Sequence, residues 1–163
     1  HYIGAIQSNK TRLIAARFGW VHTVSRAKIA RRLSEQMPAG RSINVCLQVN
    51  VDRDPNKAGV APDAVAGLLE EVRALSGLQL RGLMTILHPS SEPLAGYRRL
   101  AELFEALRPV APAGWDTLSM GMSGDFREAI AAGATHVRIG SAIFGQRPAA
   151  TGTDNGSSAR RTH

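Results

Sequence analysis

The sequence predicts an α/β fold, a (β/α)8 TIM barrel of which six strand-helix units lie in this chain. Three observations predict it. Strand-like and helix-like apolar periods alternate from end to end. The strands carry polar residues on one face. Two consecutive glycine-rich turns follow the last two strands, where such barrels often bind phosphate.

Regular alternation requires a parallel sheet covered by helices. Ile43, Val45, Leu47, Val49 and Val51 share one face of a strand, whereas Asn44, Cys46, Gln48 and Asn50 share the other. An open doubly wound sheet would be apolar on both faces; a barrel has one face for helices and one for its interior. Likewise His136, Arg138 and Gly140 oppose Val137, Ile139 and Ser141, which turns an arginine away from the helix layer. Closure takes eight units, so two are expected upstream of His1, and a chain that opens on histidine in a strand-like stretch reads as a fragment.

In order, strands are expected at residues 2–6, 20–24, 43–51, 80–86, 117–122 and 137–144, each an apolar run or alternation of strand length. Helices are expected at residues 9–18, 26–37, 62–75, 94–107 and 125–131, where apolar residues recur three and four apart. Pro62 suits the first position of a helix with Asp63 in its first turn, and Ser123 or Gly124 precedes the acidic Asp125 and Glu128. Pro38, Gly77 and Gly133 mark helix ends. Residues 1–147 are therefore expected to form the partial barrel, strands three to eight of the whole, and 148–163 a disordered polar tail.

Composition narrows the class. The 163 residues are 44% hydrophobic, ordinary for a single globular domain. One cysteine, Cys46, cannot form an internal disulfide, and no Cys and His cluster has zinc-ligand spacing; a reduced, cytoplasmic setting without a bound metal is expected. The chain has neither an apolar run of the roughly 18 residues a membrane helix needs nor a signal-like start, so no membrane partner is expected. Lys plus Arg outnumber Asp plus Glu by 20 to 13, but the cations are spread along the chain with acids interleaved. Without an accompanying motif, they read as solvated helix faces and no nucleic-acid partner is expected.

The chemistry concentrates near the end. Ser119-Met120-Gly121-Met122-Ser123-Gly124-Asp125 ends a strand and opens a helix, which exposes backbone N–H donors at a positive dipole end. The next strand runs into Arg138-Ile139-Gly140-Ser141, where glycine permits close approach and serine adds a hydroxyl. One such turn alone is weak evidence. Two in succession beside an inward Arg138 outline a phosphate cradle.

These two runs, together with His1-Tyr2-Ile3-Gly4, Gln7-Ser8-Asn9-Lys10 and Gly82-Leu83-Met84-Thr85-Ile86, resemble the YggS/PROSC family, the pyridoxal phosphate homeostasis proteins, in order and spacing up to about Arg147. The resemblance implies a barrel of the alanine racemase N-terminal type with pyridoxal 5′-phosphate (PLP) at its mouth. It implies that Ser123, Gly140 and Ser141 contact the phosphate and that Arg138 faces the pyridine nitrogen; Met120 and Gly121 are expected to be cofactor-binding as well, Met120 packing beside the ring, with core filling near the barrel rim the equal alternative. The family's Schiff-base lysine lies on the first strand, upstream of His1, so no catalytic residue is expected in this chain. Lys10, Lys28 and Lys57 read as helix-start or loop cations. Two positions depart from the family pattern: Asp54 where glutamate is usual, and His88 where proline is usual.

An arginine at the ring nitrogen donates to it and keeps it unprotonated, which makes PLP a poorer electron sink. The resemblance thus implies a PLP carrier or buffer, a monomer when complete, with PLP-dependent apoenzymes as partners. A racemase-like enzyme is the alternative, but a racemase also needs a second, β-rich domain and a tyrosine from a partner subunit. A cofactor-independent phosphate-binding barrel is a third reading. His22 and His136 could face the mouth; Met122 could pack there; Cys46 reads as packing, and Gln48 and Asn50 as organisers of the polar interior. For the 163-residue chain itself, exposed strand edges predict poor solubility and weak, noncovalent binding of phosphate esters.

Overall fold

The computed structural model describes residues 1–145; the tail expected at 148–163 lies outside them. Five parallel strands form one sheet in the order β1-β2-β3-β4-β5: Trp20–Val24, Ile43–Gln48, Leu78–Met84, Thr117–Met122 and His136–Arg138. The spatial order matches the chain order without a reversal. With right-handed crossovers, that winding keeps the helices on one side and leaves the other side free, as barrels do and doubly wound sheets do not.

The helices are α1 (Thr11–Arg17), α2 (Ala27–Glu35), α3 (Val65–Arg73), α4 (Pro93–Leu107), α5 (Phe126–Ala131) and α6 (Ser141–Phe144). The first four turn an apolar stripe toward the sheet: Ile14 and Ala15 from α1, Ile29, Ala30 and Leu33 from α2, Val65, Leu69 and Val72 from α3, and Leu100 and Phe104 from α4 are buried. They meet Val21, Ile43, Val45, Leu47 and Leu80 in one core. Trp115 closes its lower edge, stacked on Phe104 with centroids 4.9 Å apart and its indole N–H donated to Phe104 O.

The strand expected at residues 2–6 does not form. A single bridge pairs Tyr2 with Val21, and Gly4 bends the chain away. The strand expected at 137–144 stops at Arg138, and residues from Ser141 onward turn into α6 with Gly140 at its cap, because that glycine takes a conformation (φ −121°, ψ −77°) that leaves the strand. The strand expected at 43–51 ends at Gln48: Val49 bridges Val60, and Asn50 turns the chain by donating to Asp54 O and accepting from Asp54 N. Helix α4 starts one residue earlier than expected, at Pro93, because the Glu92 carboxylate caps the amides of Leu94 and Ala95.

One bulge organises the inner face. Val45 pairs Leu80 and Cys46 pairs Gly82, so Arg81 is an extra residue in β3. A Cβ on Gly82 would stand 1.8 Å from Thr117 O; glycine is what lets β3 and β4 approach. The bulge sends the Arg81 side chain to Asn44 Oδ1 (2.9 Å), to the Asp116 carboxylate and over the Trp20 ring (5.1 Å).

Candidate functional site

The helix-free face opens into a cavity of about 740 Å³ at the C-terminal ends of β4 and β5. Its wall includes His22 from β1, Ile86 beyond β3, Met122 to Gly124 after β4, and His136 through Ser141. Both glycine-rich turns therefore reach one cavity, since consecutive parallel strands end side by side.

Arg138 is fixed between three strands. Its Nη1 donates to Ser119 Oγ on β4 (2.9 Å) and its Nη2 to Thr85 O just past β3 (2.7 Å). Burial pulls its pKa below the usual guanidinium value, opposed by Tyr97 and Asp125; it stays a cation, since arginine is not deprotonated in proteins.

The Ser119 hydroxyl also lies 2.8 Å from His22 Nδ1, and His22 Nε2 lies 2.9 Å from His1 Nδ1. The direction of this wire follows from Arg138, which can only donate. Ser119 Oγ accepts from the guanidinium, and among the described residues its own proton finds its acceptor at His22 Nδ1. Nδ1 must then be unprotonated, which assigns the neutral imidazole its proton on Nε2, facing His1. The electrostatics agree. Burial, followed by the positive fields of His136 and Arg138, lowers the His22 pKa to about 4.

The second turn sits at the rim. Ser123 Oγ accepts from Gly140 N (3.2 Å) and Ala142 N (3.3 Å), so one hydroxyl gathers two amides of the following loop. The β4–α5 turn is held by Asp125, whose Oδ1 accepts from Met122 N (2.7 Å) rather than from a helix amide. Gly121 has φ +92°, and a Cβ there would meet Ala129 Cβ at 2.5 Å; it is the close-packed start of this turn.

Of the residues the sequence singles out, Ser123, Arg138, Gly140 and Ser141 come together on the cavity wall. Gly121 and Met120 lie behind it, with Met120 fully buried in the core, and it is Met122 that reaches the cavity. Gln48 and Asn50 hold the loop after β2, through Ala58 O and Asp54, instead of the mouth. Cys46 is buried, and desolvation raises its thiol pKa to about 12, so it packs as an inert group. Lys57 donates to Ile86 O (3.3 Å), and Lys10 and Lys28 are exposed on the outer helices. His88 reaches Asp52 through its backbone and Ser90 through its ring, which fixes the loop after β3. Sequence reasoning missed the joint held by Ser119. The available signal was a polar residue between Leu118 and Met120 in an otherwise apolar strand. Among the described residues no group of three or more His, Cys, Asp and Glu side chains is arranged to hold a metal ion, and no helix is long and apolar enough to cross a membrane.

Residues 2–148 match the family described as alanine racemase, N-terminal domain. A protein of Pseudomonas aeruginosa named pyridoxal phosphate homeostasis protein is 55% identical over 148 residues, which are 90% of this chain; the chain spans 64% of that relative's length. Among solved structures, PipY of Synechococcus elongatus without PLP superposes with a TM-score of 0.80 at 38% identity, over 87% of this chain and 68% of PipY. PipY with PLP bound gives 0.78 at 36% identity, over the same shares of the two chains. Alanine racemase of Clostridium difficile, at 15% identity and a TM-score of 0.68 over 90% of this chain and 41% of its own, shares the fold. The five-stranded parallel sheet with one free face is thus the alanine racemase N-terminal fold, and the chain belongs to that domain's family, together with the proteins named pyridoxal phosphate homeostasis protein.

Proposed function

We propose that the cavity binds PLP and that the complete protein holds and buffers this cofactor rather than turning over a substrate. The observation that carries the reading is Arg138, fixed between Ser119 and Thr85 on the wall of a cavity whose rim bears Ser123, Gly140 and Ser141. A volume of about 740 Å³ falls within the range that takes cofactor-sized ligands. PipY, which has been solved with PLP bound, supports the choice of ligand.

PLP when bound supplies an aldehyde that captures amines and a pyridine ring that withdraws electrons. The residues of this chain set its surroundings. Ser123, Ser141 and the backbone amides of Gly140 and Ala142, which Ser123 Oγ gathers, would hold the phosphate. Arg138 would donate to the ring nitrogen and keep positive charge there, which would oppose protonation of the ring. Neutral His22 holds Ser119 and so holds the guanidinium in place. Both tyrosines are already engaged, Tyr2 O–H with Ala5 O and Tyr97 buried on α4 with its pKa raised by burial first and by Asp125 second. Neither serves as an acid or base at the mouth, which favours a carrier.

In the same reading, the bridged segment at Tyr2 and strands β1 to β5 stand where strands three to eight of a (β/α)8 barrel run, so that the described residues form a partial barrel. In that reading a monomeric, cytoplasmic protein passes PLP to apoenzymes. Calorimetric titration of the 163-residue chain tests the site. PLP is expected to bind weakly but at least about tenfold better than pyridoxal, which lacks the phosphate, and Arg138→Gln to weaken PLP binding by a similar factor. Equal affinity for PLP and pyridoxal overturns the cradle.

A further inference from the structure

The cations are dispersed along the sequence, but the charge balance is not. Residues 1–50 carry eight Lys and Arg against the single Glu35, whereas residues 51–163 carry twelve of each sign. The whole net charge of +7 therefore belongs to the first part of the chain. In three dimensions that part is the outer surface formed by α1 and α2, which pack against each other. Lys10, Arg12, Arg17, Arg26, Lys28 and Arg31 are all exposed there.

Elsewhere on the surface several arginines are neutralised by an acid close by, although among the described residues Arg98 and Arg127 are not. Arg73 pairs with Glu70, Arg108 with Glu105, Arg53 with Asp63 and Arg99 with Asp52. On the α1–α2 face the ion pair among the described residues is Arg31 with Glu71, and its carboxylate comes from α3. At the helix starts the placement also opposes helix stability, whereas Arg17 and Arg32 suit the last turns of α1 and α2. Neither α1 nor α2 has an acid in its first turn; Lys10 and Arg12 stand at the start of α1, and Arg26 and Lys28 at the start of α2, against the positive end of each dipole. Cations that work against their own helices mark a surface whose potential serves contact with something negative.

We propose that the α1–α2 face docks an acidic protein surface. Two features favour a protein over other polyanions. Leu13 is 48% exposed among these cations and offers an apolar contact of the kind that anchors protein interfaces. Among the described residues the face has no exposed aromatic ring on which bases could stack, since Phe18 packs against the core and Tyr2, and Trp20 packs against His1 and beneath Arg81. A membrane is disfavoured because the apolar sides of both helices, Ile14 and Ala15 on one and Ile29, Ala30 and Leu33 on the other, are already buried in the core and leave the lone Leu13, too small an apolar area to insert. The face is built from outer helices and stands whatever the cavity holds.

The test compares two triple variants of the full 163-residue chain with equal loss of charge: Arg12→Gln, Arg26→Gln and Lys28→Gln on the face, and Arg53→Gln, Arg98→Gln and Arg127→Gln elsewhere. Binding of fluorescent poly-L-glutamate is read by anisotropy at low and moderate salt, beside a duplex RNA and vesicles of phosphatidylglycerol; circular dichroism verifies the fold of each variant. The face variant is expected to lose about tenfold or more in poly-glutamate affinity while the other loses less than about threefold, with affinity falling as salt rises. A Leu13→Ala variant, neutral in charge, is expected to weaken binding without changing its salt dependence. Equal losses in the two triple variants, no poly-glutamate binding at low salt, or tighter binding of the RNA or the vesicles each overturn the proposal.

Discussion

Acidification should unfold this protein through His22, and the size of the effect follows from the structure. His22 is neutral and buried, with a pKa of about 4, while in the unfolded chain a histidine titrates near 6.5. Between those values the unfolded state binds a proton that the folded state refuses, so stability is fully present above the unfolded pKa and is lost as pH falls toward the folded one. The full difference is roughly 3 kcal/mol, and about 2 kcal/mol of it is gone by about pH 5. Protonation places a second donor against Ser119, whose own proton then has no acceptor, and sets a cation beside Arg138. Urea denaturation near pH 7.5 and near pH 5 measures the change. At an m-value of about 2 kcal/mol/M, His22 accounts for a midpoint shift of about 1 M, and a His22→Gln variant should lack that part of the shift. If the variant and the parent lose stability in parallel, or if the His22 imidazole titrates near 6.5 by NMR, the assigned direction of the Arg138–Ser119–His22 wire is wrong.

Further outcomes follow from the same geometry. Gly82→Ala places a methyl 1.8 Å from Thr117 O, so β3 and β4 must separate; we expect a loss of about 3 kcal/mol or more, read from denaturant midpoints. Ser123→Ala removes the acceptor shared by the Gly140 and Ala142 amides and one donor to a phosphate; PLP affinity should fall about three- to tenfold while affinity for pyridoxal stays the same, which titration of both ligands detects. Trp115→Phe keeps the stack on Phe104 but leaves Phe104 O without its indole donor, and should cost about 1 kcal/mol of stability with no change in ligand binding.

The sequence carried the fold wherever apolar periodicity and burial coincide. The four strands at 20–24, 43–48, 78–84 and 117–122 and the helices between them lie within a few residues of their expected positions, because each has one wall of the core to fill. It misled at the edges. Residues 2–6 and 139–144 are apolar enough for strands, yet Tyr2 alone finds a bridge, and Ile143 and Phe144 are 68% and 86% exposed on a short helix. A strand is defined by its neighbour, and an apolar run with no wall beside it has no reason to stay extended. That Arg138, Ser123, Gly140 and Ser141 would meet on one cavity wall was legible because glycine-rich turns after consecutive parallel strands must end side by side. The contribution of Ser119 and His22 was hidden, since they lie 97 residues apart and only the sheet brings them within 2.8 Å. Met120 was hidden for a simpler reason: alternation along β4 decides which methionine faces the cavity, and Gly121, at φ +92°, interrupts it.

The most direct measurement is an amide NMR titration of the 163-residue chain with PLP, which reads weak binding residue by residue. The largest shifts are expected at Ser123, Gly140, Ser141 and Ala142, with Arg138 Nε–H moving as well, and inorganic phosphate should reproduce the first set without the last. Shifts confined to other surfaces, or an Arg138 signal that ignores PLP while the phosphate-loop amides respond, would contradict the account of a guanidinium facing the bound ring.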